Sequence, residues 1–81
     1  MKAKIKWFSQ KVLLGERAFL FCFGKKCMSG KVTKISASNI NREFSILVEF
    51  IKPEFFQDEL IEGRIFTINE VSTILAEGEV M

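Results

Sequence analysis

The sequence predicts an all-β fold, and three observations support that prediction. Six short segments either alternate apolar with polar residues or are apolar throughout, which is typical of β-strands. No credible helix exceeds two turns. The 81 residues are 48% hydrophobic and include nine phenylalanines, enough to fill one compact core. Because short hairpins bury their apolar faces only by closing on one another, we expect a single domain, residues 1–81, that forms a β-barrel or a β-sandwich.

Three strands are predicted in the first half of the chain. Lys2 to Ser9 alternates lysines with apolar residues, so one face of the strand is charged and the other apolar. Arg17 to Phe23 is too apolar to expose either face fully, which suits a strand with contacts on both sides. After a turn at residues 24–26, Cys27 to Ile35 forms the return strand, in which Gly30 indicates a bulge or a tight bend. Residues 10–16 and 36–42 are predicted loops.

Three further strands are predicted in the second half. Phe44 to Lys52 places apolar residues at every second position, and Pro53 ends this strand because proline cannot donate a hydrogen bond to a ladder. Residues 54–62 leave little length for a helix, and we expect a loop there. Arg64 to Glu70 and Thr73 to Val80 are predicted to form a last hairpin around a short turn.

The formal net charge of +2 conceals a division along the chain. Residues 1–42 carry ten basic side chains and one acidic side chain, whereas residues 43–81 carry two basic and nine acidic side chains. If the two halves lie on different sides of the domain, one face attracts anions and the other repels them. If the halves interleave as neighbouring strands, lysines and glutamates neutralise each other. We favour interleaving, because sequential parts of small antiparallel folds usually pack together.

Several functional classes are disfavoured by residues that the sequence lacks. The chain has no histidine and no tyrosine, and its five glycines do not gather into a phosphate-binding loop. We therefore expect no catalytic residues, no bound metal, no cofactor and no enzymatic activity. The longest apolar run, Ala18 to Phe23, is far shorter than the roughly 20 residues of a membrane-spanning helix, so we expect a cytoplasmic protein without a membrane partner.

The two cysteines, Cys22 and Cys27, are too few for the disulfide framework of a small secreted domain. They flank a four-residue connection and could face each other in a hairpin, as a thiol switch would require. Free cysteines are commonly buried as small apolar residues, and we favour that interpretation.

Motifs along most of the chain resemble the C-terminal β-barrel, the third domain, of elongation factor Tu and related translation GTPases. An apolar strand that ends in a hydrophobic-x-Pro unit, a Phe-x-Ile-x-Glu strand and a last strand with Gly-x-Val occur in the family's order. An aromatic strand and a Ser-Gly-Lys-Val unit in the first half resemble the corresponding family segments. The matching segments are Phe50–Pro53, Gly63–Glu70, Ala76–Val80, Phe21–Phe23 and Ser29–Val32, and Lys2 to Ser9 resembles the opening strand of the family's barrel.

The resemblance implies a stand-alone six-stranded antiparallel barrel of Greek-key type, without the family's GTPase domain and therefore without GTP binding. It implies a non-catalytic binding module, which we expect to contact a protein; the alternative partner is structured, tRNA-like RNA. Two family positions that touch the T stem of aminoacyl-tRNA fall on Leu20 and Ser29, of which only Ser29 has a polar side chain. The family's Gly-Gly-Arg turn falls on Val71 to Thr73, where the branched side chain of Val71 hinders close approach to RNA.

The predicted loop at residues 54–62 supplies the candidate protein-binding residues. It carries two adjacent aromatic side chains followed by three carboxylates. The aromatic pair either caps an open end of the barrel, which is the commoner role, or anchors a protein partner. An acidic loop beside an apolar anchor suits a basic protein better than RNA. The candidates are Phe55, Phe56, Asp58, Glu59 and Glu62.

A lysine-rich hairpin supplies the candidate RNA-binding residues. Lysines bind phosphates, and aromatic side chains near them are a feature of single-stranded nucleic-acid binders. Stacking on bases requires exposed rings, however, and Phe19, Phe21 and Phe23 are spaced to share one face of a strand, where we expect them to be buried. The candidates are Lys25, Lys26, Ser29, Lys31 and Lys34.

Overall fold

A computed structural model describes residues 1–9, 17–37 and 42–81 of the chain. Six antiparallel strands close into a barrel, which confirms the all-β prediction and selects a barrel over a sandwich. The predicted loop at 10–16 and most of the predicted loop at 36–42 lie outside the described residues. The strands are β1 (Lys2–Trp7), β2 (Ala18–Phe23), β3 (Lys26–Ala37), β4 (Glu43–Phe50), β5 (Ile65–Glu70) and β6 (Thr73–Val80), and a short 3₁₀ helix spans Pro53–Phe56.

The strand order around the barrel is β1-β4-β3-β2-β5-β6, and β6 closes the ring by pairing with β1. Strands β2, β3 and β4 follow one another as neighbours, and β5 returns to lie beside β2. Three consecutive neighbours with a fourth strand returning beside the first make a Greek key. Each of the six strands therefore has two hydrogen-bonded neighbours.

Alternation of side chains along the strands places one face of the sheet inside the barrel. In β1 the lysines are exposed, and the residues that alternate with them are buried, ending with Trp7 at 2% exposure, as the sequence predicts. The three phenylalanines of β2 are at most 6% exposed, so they belong to the core, as expected. Phe21 packs against rings from two other strands, with its ring centroid 5.4 Å from that of Phe50 and 5.8 Å from that of Phe66.

The irregularity in β3 lies at Thr33 rather than at Gly30. The pairing of β3 with β4 shifts between Val32 and Lys34, so Thr33 is the extra residue of a bulge. Gly30 instead leaves room for its neighbour, because a Cβ atom there would lie 2.8 Å from the ring of Phe50. The bulge prediction at Gly30 was wrong: the glycine serves packing against β4, and the register changes three residues later.

The oppositely charged halves of the chain interleave in the barrel. The lysine-rich strand β1 lies between β4 and β6, both from the acidic half. Lys4 of β1 is opposite Glu79 of β6, and Lys31 of β3 is opposite Glu49 of β4. This arrangement confirms the interleaving that we favoured, and the charge division along the sequence does not become a division into two faces.

The two ends of the barrel hold different sets of connections. The turn between β2 and β3, the end of β4, the start of β5 and the end of β6 lie at one end, as their register requires. We call this the plug end, because the buried Phe56 of the 3₁₀ helix lies there. It comprises residues 23–26, 50–65 and Val80. The end of β1, the start of β2 and the turn between β5 and β6 lie at the other. We call this the turn end; it comprises residues 7–8, 17–19 and 70–73.

Candidate functional site

Residues 51–64 connect β4 to β5 at the plug end. Pro53 begins the 3₁₀ helix, a position that suits proline because the first helical N–H groups have no partner within the helix. The backbone carbonyl of Phe56 then accepts hydrogen bonds from the N–H groups of Glu59 at 2.8 Å and Leu60 at 3.0 Å. The expected loop is thus a folded segment with hydrogen-bonded turns, which fixes the directions of its side chains.

Phe56 caps the plug end of the barrel. Its side chain is fully buried, and its ring lies edge-on to those of Phe23 at 4.8 Å and Phe50 at 4.9 Å. Of the two roles that the sequence allowed for the aromatic pair, Phe56 takes the capping role. It is therefore a core residue and not a surface on which a partner could dock.

Phe55, the preceding residue, lies at the surface instead. Its side chain is 43% exposed, and its ring centroid lies 5.5 Å from that of Phe56. The Nζ atom of Lys26 lies 5.1 Å from the centre of the same ring, within the range of a cation–π contact. Phe55 is therefore an exposed aromatic ring held between a buried ring and a lysine.

Lys26, a candidate for RNA binding, contacts a residue of the candidate protein-binding set. Its Nζ atom donates a hydrogen bond to the Oε2 atom of Glu59 at 3.3 Å. The Oε1 atom of the same carboxylate lies 3.9 Å from the guanidinium of Arg64. One candidate lysine for RNA is thus paired with a candidate carboxylate for protein. Arg64 was missed from the sequence, because only the fold of residues 51–64 brings it near Glu59.

The rest of the connection exposes both carboxylates and apolar side chains. Asp58 and Glu62, predicted as candidates, are exposed. Ile51 and Ile61 are 76% and 61% exposed, and neither was among the predicted site residues. Their exposure could have been suspected from the sequence, because neither isoleucine lies at a position that the alternation of apolar residues assigns to the core.

The remaining RNA candidates lie on the β2–β3 hairpin without forming a purely basic surface. Lys25 is exposed in the turn, and Ser29 and Lys34 are exposed along β3. Lys31, between them, lies opposite Glu49. Because carboxylates stand beside Lys26 and Lys31, the positive charge of this set is interrupted.

Cys22 and Cys27 lie directly opposite each other in the hairpin and form a disulfide, with their Cα atoms 4.1 Å apart. The turn contains only two residues, because Phe23 pairs with Lys26. Gly24 takes the first of these positions with a φ of +62°, as is typical of a type II′ turn. The preferred interpretation as free, buried thiols was wrong, because the tight turn aligns the two cysteines across the strands.

Comparison with known proteins provides no relative from which a function could be taken. No family model, no curated protein and no solved structure matches the chain. Within residues 1–9, 17–37 and 42–81, no group of three or more metal-ligating side chains occurs. No helix in those ranges has the length and apolar character needed to cross a membrane. Function is therefore inferred from the side chains of the chain itself.

Proposed function

We propose that this chain is a non-catalytic protein-interaction module whose plug end contacts a basic protein partner through Phe55. The observation that carries the proposal is the contrast between two adjacent phenylalanines, with Phe56 buried as a plug and Phe55 exposed beside it. A ring that is already packed against a buried neighbour loses little conformational entropy when a partner covers it. Such pre-positioned aromatic side chains are the usual energetic centres of protein interfaces.

Charge and apolar surface around Phe55 support a protein with positive charges as the partner. Glu54, Asp58 and Glu62 are exposed in the same connection, whereas Glu59 is occupied by Lys26 and Arg64. Exposed isoleucines at 51 and 61 add apolar area to the connection. An aromatic centre with a rim of carboxylates complements an apolar side chain flanked by lysines or arginines.

RNA binding through the lysine-rich hairpin is the competing function, and the side-chain contacts weigh against it. Phosphate binding depends on cations that are free to replace counterions. Lys26 is engaged by Glu59, and Lys31 faces Glu49. The kinship with the third domain of elongation factor Tu is likewise a proposal, supported by the order of the motifs and compatible with a closed six-stranded barrel.

The test is co-purification followed by a measured affinity. The tagged chain is used to isolate a partner from cells, with and without nuclease, and the purified partner is then titrated by calorimetry. Phe55→Ser should weaken binding by about 30-fold, since truncating a central interface aromatic costs about 2 kcal/mol. Binding should survive nuclease treatment.

A matched control is available at the turn end. Phe8 is also an exposed phenylalanine, at 49%, and its backbone N–H is bonded to the Leu75 carbonyl whatever its side chain. Phe8→Ser should leave the affinity within about twofold. Equal loss in both variants, or co-purified material that is entirely nuclease-sensitive, would contradict the proposed protein interface.

A further inference from the structure

A second surface lies on the outside of strands β1, β4 and β3, away from the 3₁₀ helix that carries Phe55. It is a shallow groove of about 230 Å³. Leu47 of β4 lies at its middle, opposite Lys2 of β1 on one side and Lys34 of β3 on the other. Its described lining contains two lysines, two serines and no carboxylate, namely Lys2, Lys34, Ser36, Ser45, Ile46 and Leu47.

The bulge at Thr33 creates this groove. Before the bulge, the even-numbered residues of β3 point into the barrel, as the buried Val32 does. After it, Lys34 and Ser36 are exposed and the half-buried Ile35 packs against the core. Without the extra residue, Lys34 and Ser36 would occupy inward positions. The register shift therefore brings a cation and a hydroxyl onto the outer face beside β4.

The neighbouring outer surface of β1 provides an internal contrast. A groove of about 340 Å³ on the β6 side also contains two lysines, Lys4 and Lys6. There the register places Glu79 and Glu77 directly opposite those lysines. The groove on the β4 side has no such compensation among its described lining residues. The described lining of the groove beside β4 and β3 is thus positively charged, whereas the lysines of the other groove lie opposite carboxylates.

We propose that the groove between Lys2 and Lys34 binds a phosphate group. The two lysines stand on strands that flank β4, about 10 Å apart at the backbone, and their side chains are long enough to reach one anion above Leu47. Ammonium groups bind phosphate as point charges, and the hydroxyls of Ser36 and Ser45, which lie opposite each other, donate to the remaining oxygens.

The test is an NMR titration of the ¹⁵N-labelled chain with pyrophosphate, against sodium chloride at equal ionic strength. We expect saturable shifts at the amides of Ser36, Ser45 and Leu47. The double variant Lys2→Gln/Lys34→Gln should weaken binding by about tenfold or more, because it removes both charge-assisted contacts. Lys6→Gln, on the same strand but in the compensated groove, should bind as the unaltered chain does.

Further ligands identify the source of the phosphate. Tighter binding of a short single-stranded RNA, lost in the double variant, would support the site and assign the phosphate to a nucleic-acid backbone. Binding of pyrophosphate without RNA would support it as a site for a free phosphate compound. Shifts of equal size at all lysine-bearing strands, or tighter binding of a polyglutamate peptide than of pyrophosphate, would overturn the proposal. Phe55→Ser should bind pyrophosphate normally, so failure of this site is distinguishable from failure of the proposed protein interface.

Discussion

The two ends of the barrel are closed by different means. At the turn end, Trp7 and Phe19, both from strands, meet edge to face with ring centroids 5.8 Å apart. At the plug end, the closing residue is Phe56, which comes from a connection and not from a strand. A connection that must deliver a core side chain has a fixed backbone, and its neighbouring residues are fixed with it. At the plug end, one segment therefore carries both a core side chain and the surface that we propose for recognition, whereas Trp7 and Phe19 of the turn end, among its described residues, come from strands.

Removing the plug should have the largest effect on stability. Phe56→Ala deletes a fully buried ring that touches Phe23 and Phe50, and we expect a loss of about 3–5 kcal/mol of unfolding free energy. Phe55→Ala, at a half-exposed position, should cost less than about 1 kcal/mol. Urea denaturation of both variants measures the difference. Similar losses in the two would mean that Phe56 does not close the barrel in solution.

The disulfide of the plug-end hairpin should have an intermediate effect. It links residues five positions apart, and constraining so short a loop stabilises the folded state by about 2 kcal/mol. Cys22→Ala/Cys27→Ala and the chain under reducing agent should both lose this amount in urea denaturation. The double variant itself should be insensitive to reductant. Two free thiols in the native chain, with no effect of reductant, would contradict the bond.

The turn end offers the smallest effect, and in the opposite direction. Val71 is 95% exposed and has a φ of +54°, a region that costs a branched residue about 1–2 kcal/mol. Val71→Asn should therefore stabilise the protein by about 1 kcal/mol, because asparagine tolerates this conformation. Thermal unfolding should shift upward by about 4–8 °C. An unchanged or lower midpoint, compared with Ser72→Asn as control, would show that the turn is not strained.

Much of the barrel could be predicted from local pattern, because alternation depends only on neighbours along the chain. Strand β1 illustrates this, with its lysines outside and Trp7 inside. The bulge at Thr33 could not be predicted, because a register shift depends on how β3 pairs with β4. We predicted a bulge or a bend at Gly30 because a glycine within a strand commonly marks a bulge, but it can equally mark close packing, as it does here.

The candidate site was predicted in composition but not in arrangement. Phe55 and Phe56 are identical side chains at adjacent positions, and only the 3₁₀ helix that starts at Pro53 decides which of them is buried. The pairing of Lys26 with Glu59 joins residues 33 positions apart, which no local pattern reveals. The cross-strand cysteine pair was only the less favoured alternative, because the sequence placed three residues in the turn, whereas a two-residue turn with Gly24 aligns Cys22 and Cys27.

Hydrogen exchange of the complex tests most directly whether recognition takes place at the plug end. Amides of the chain are compared with and without the purified partner, and exchange is followed by mass spectrometry. We expect slower exchange on binding in peptides that cover residues 51–64 and the hairpin turn at 24–26, with no change at residues 70–73. Protection concentrated at residues 70–73 and around Phe8, with none at residues 51–64, would contradict it.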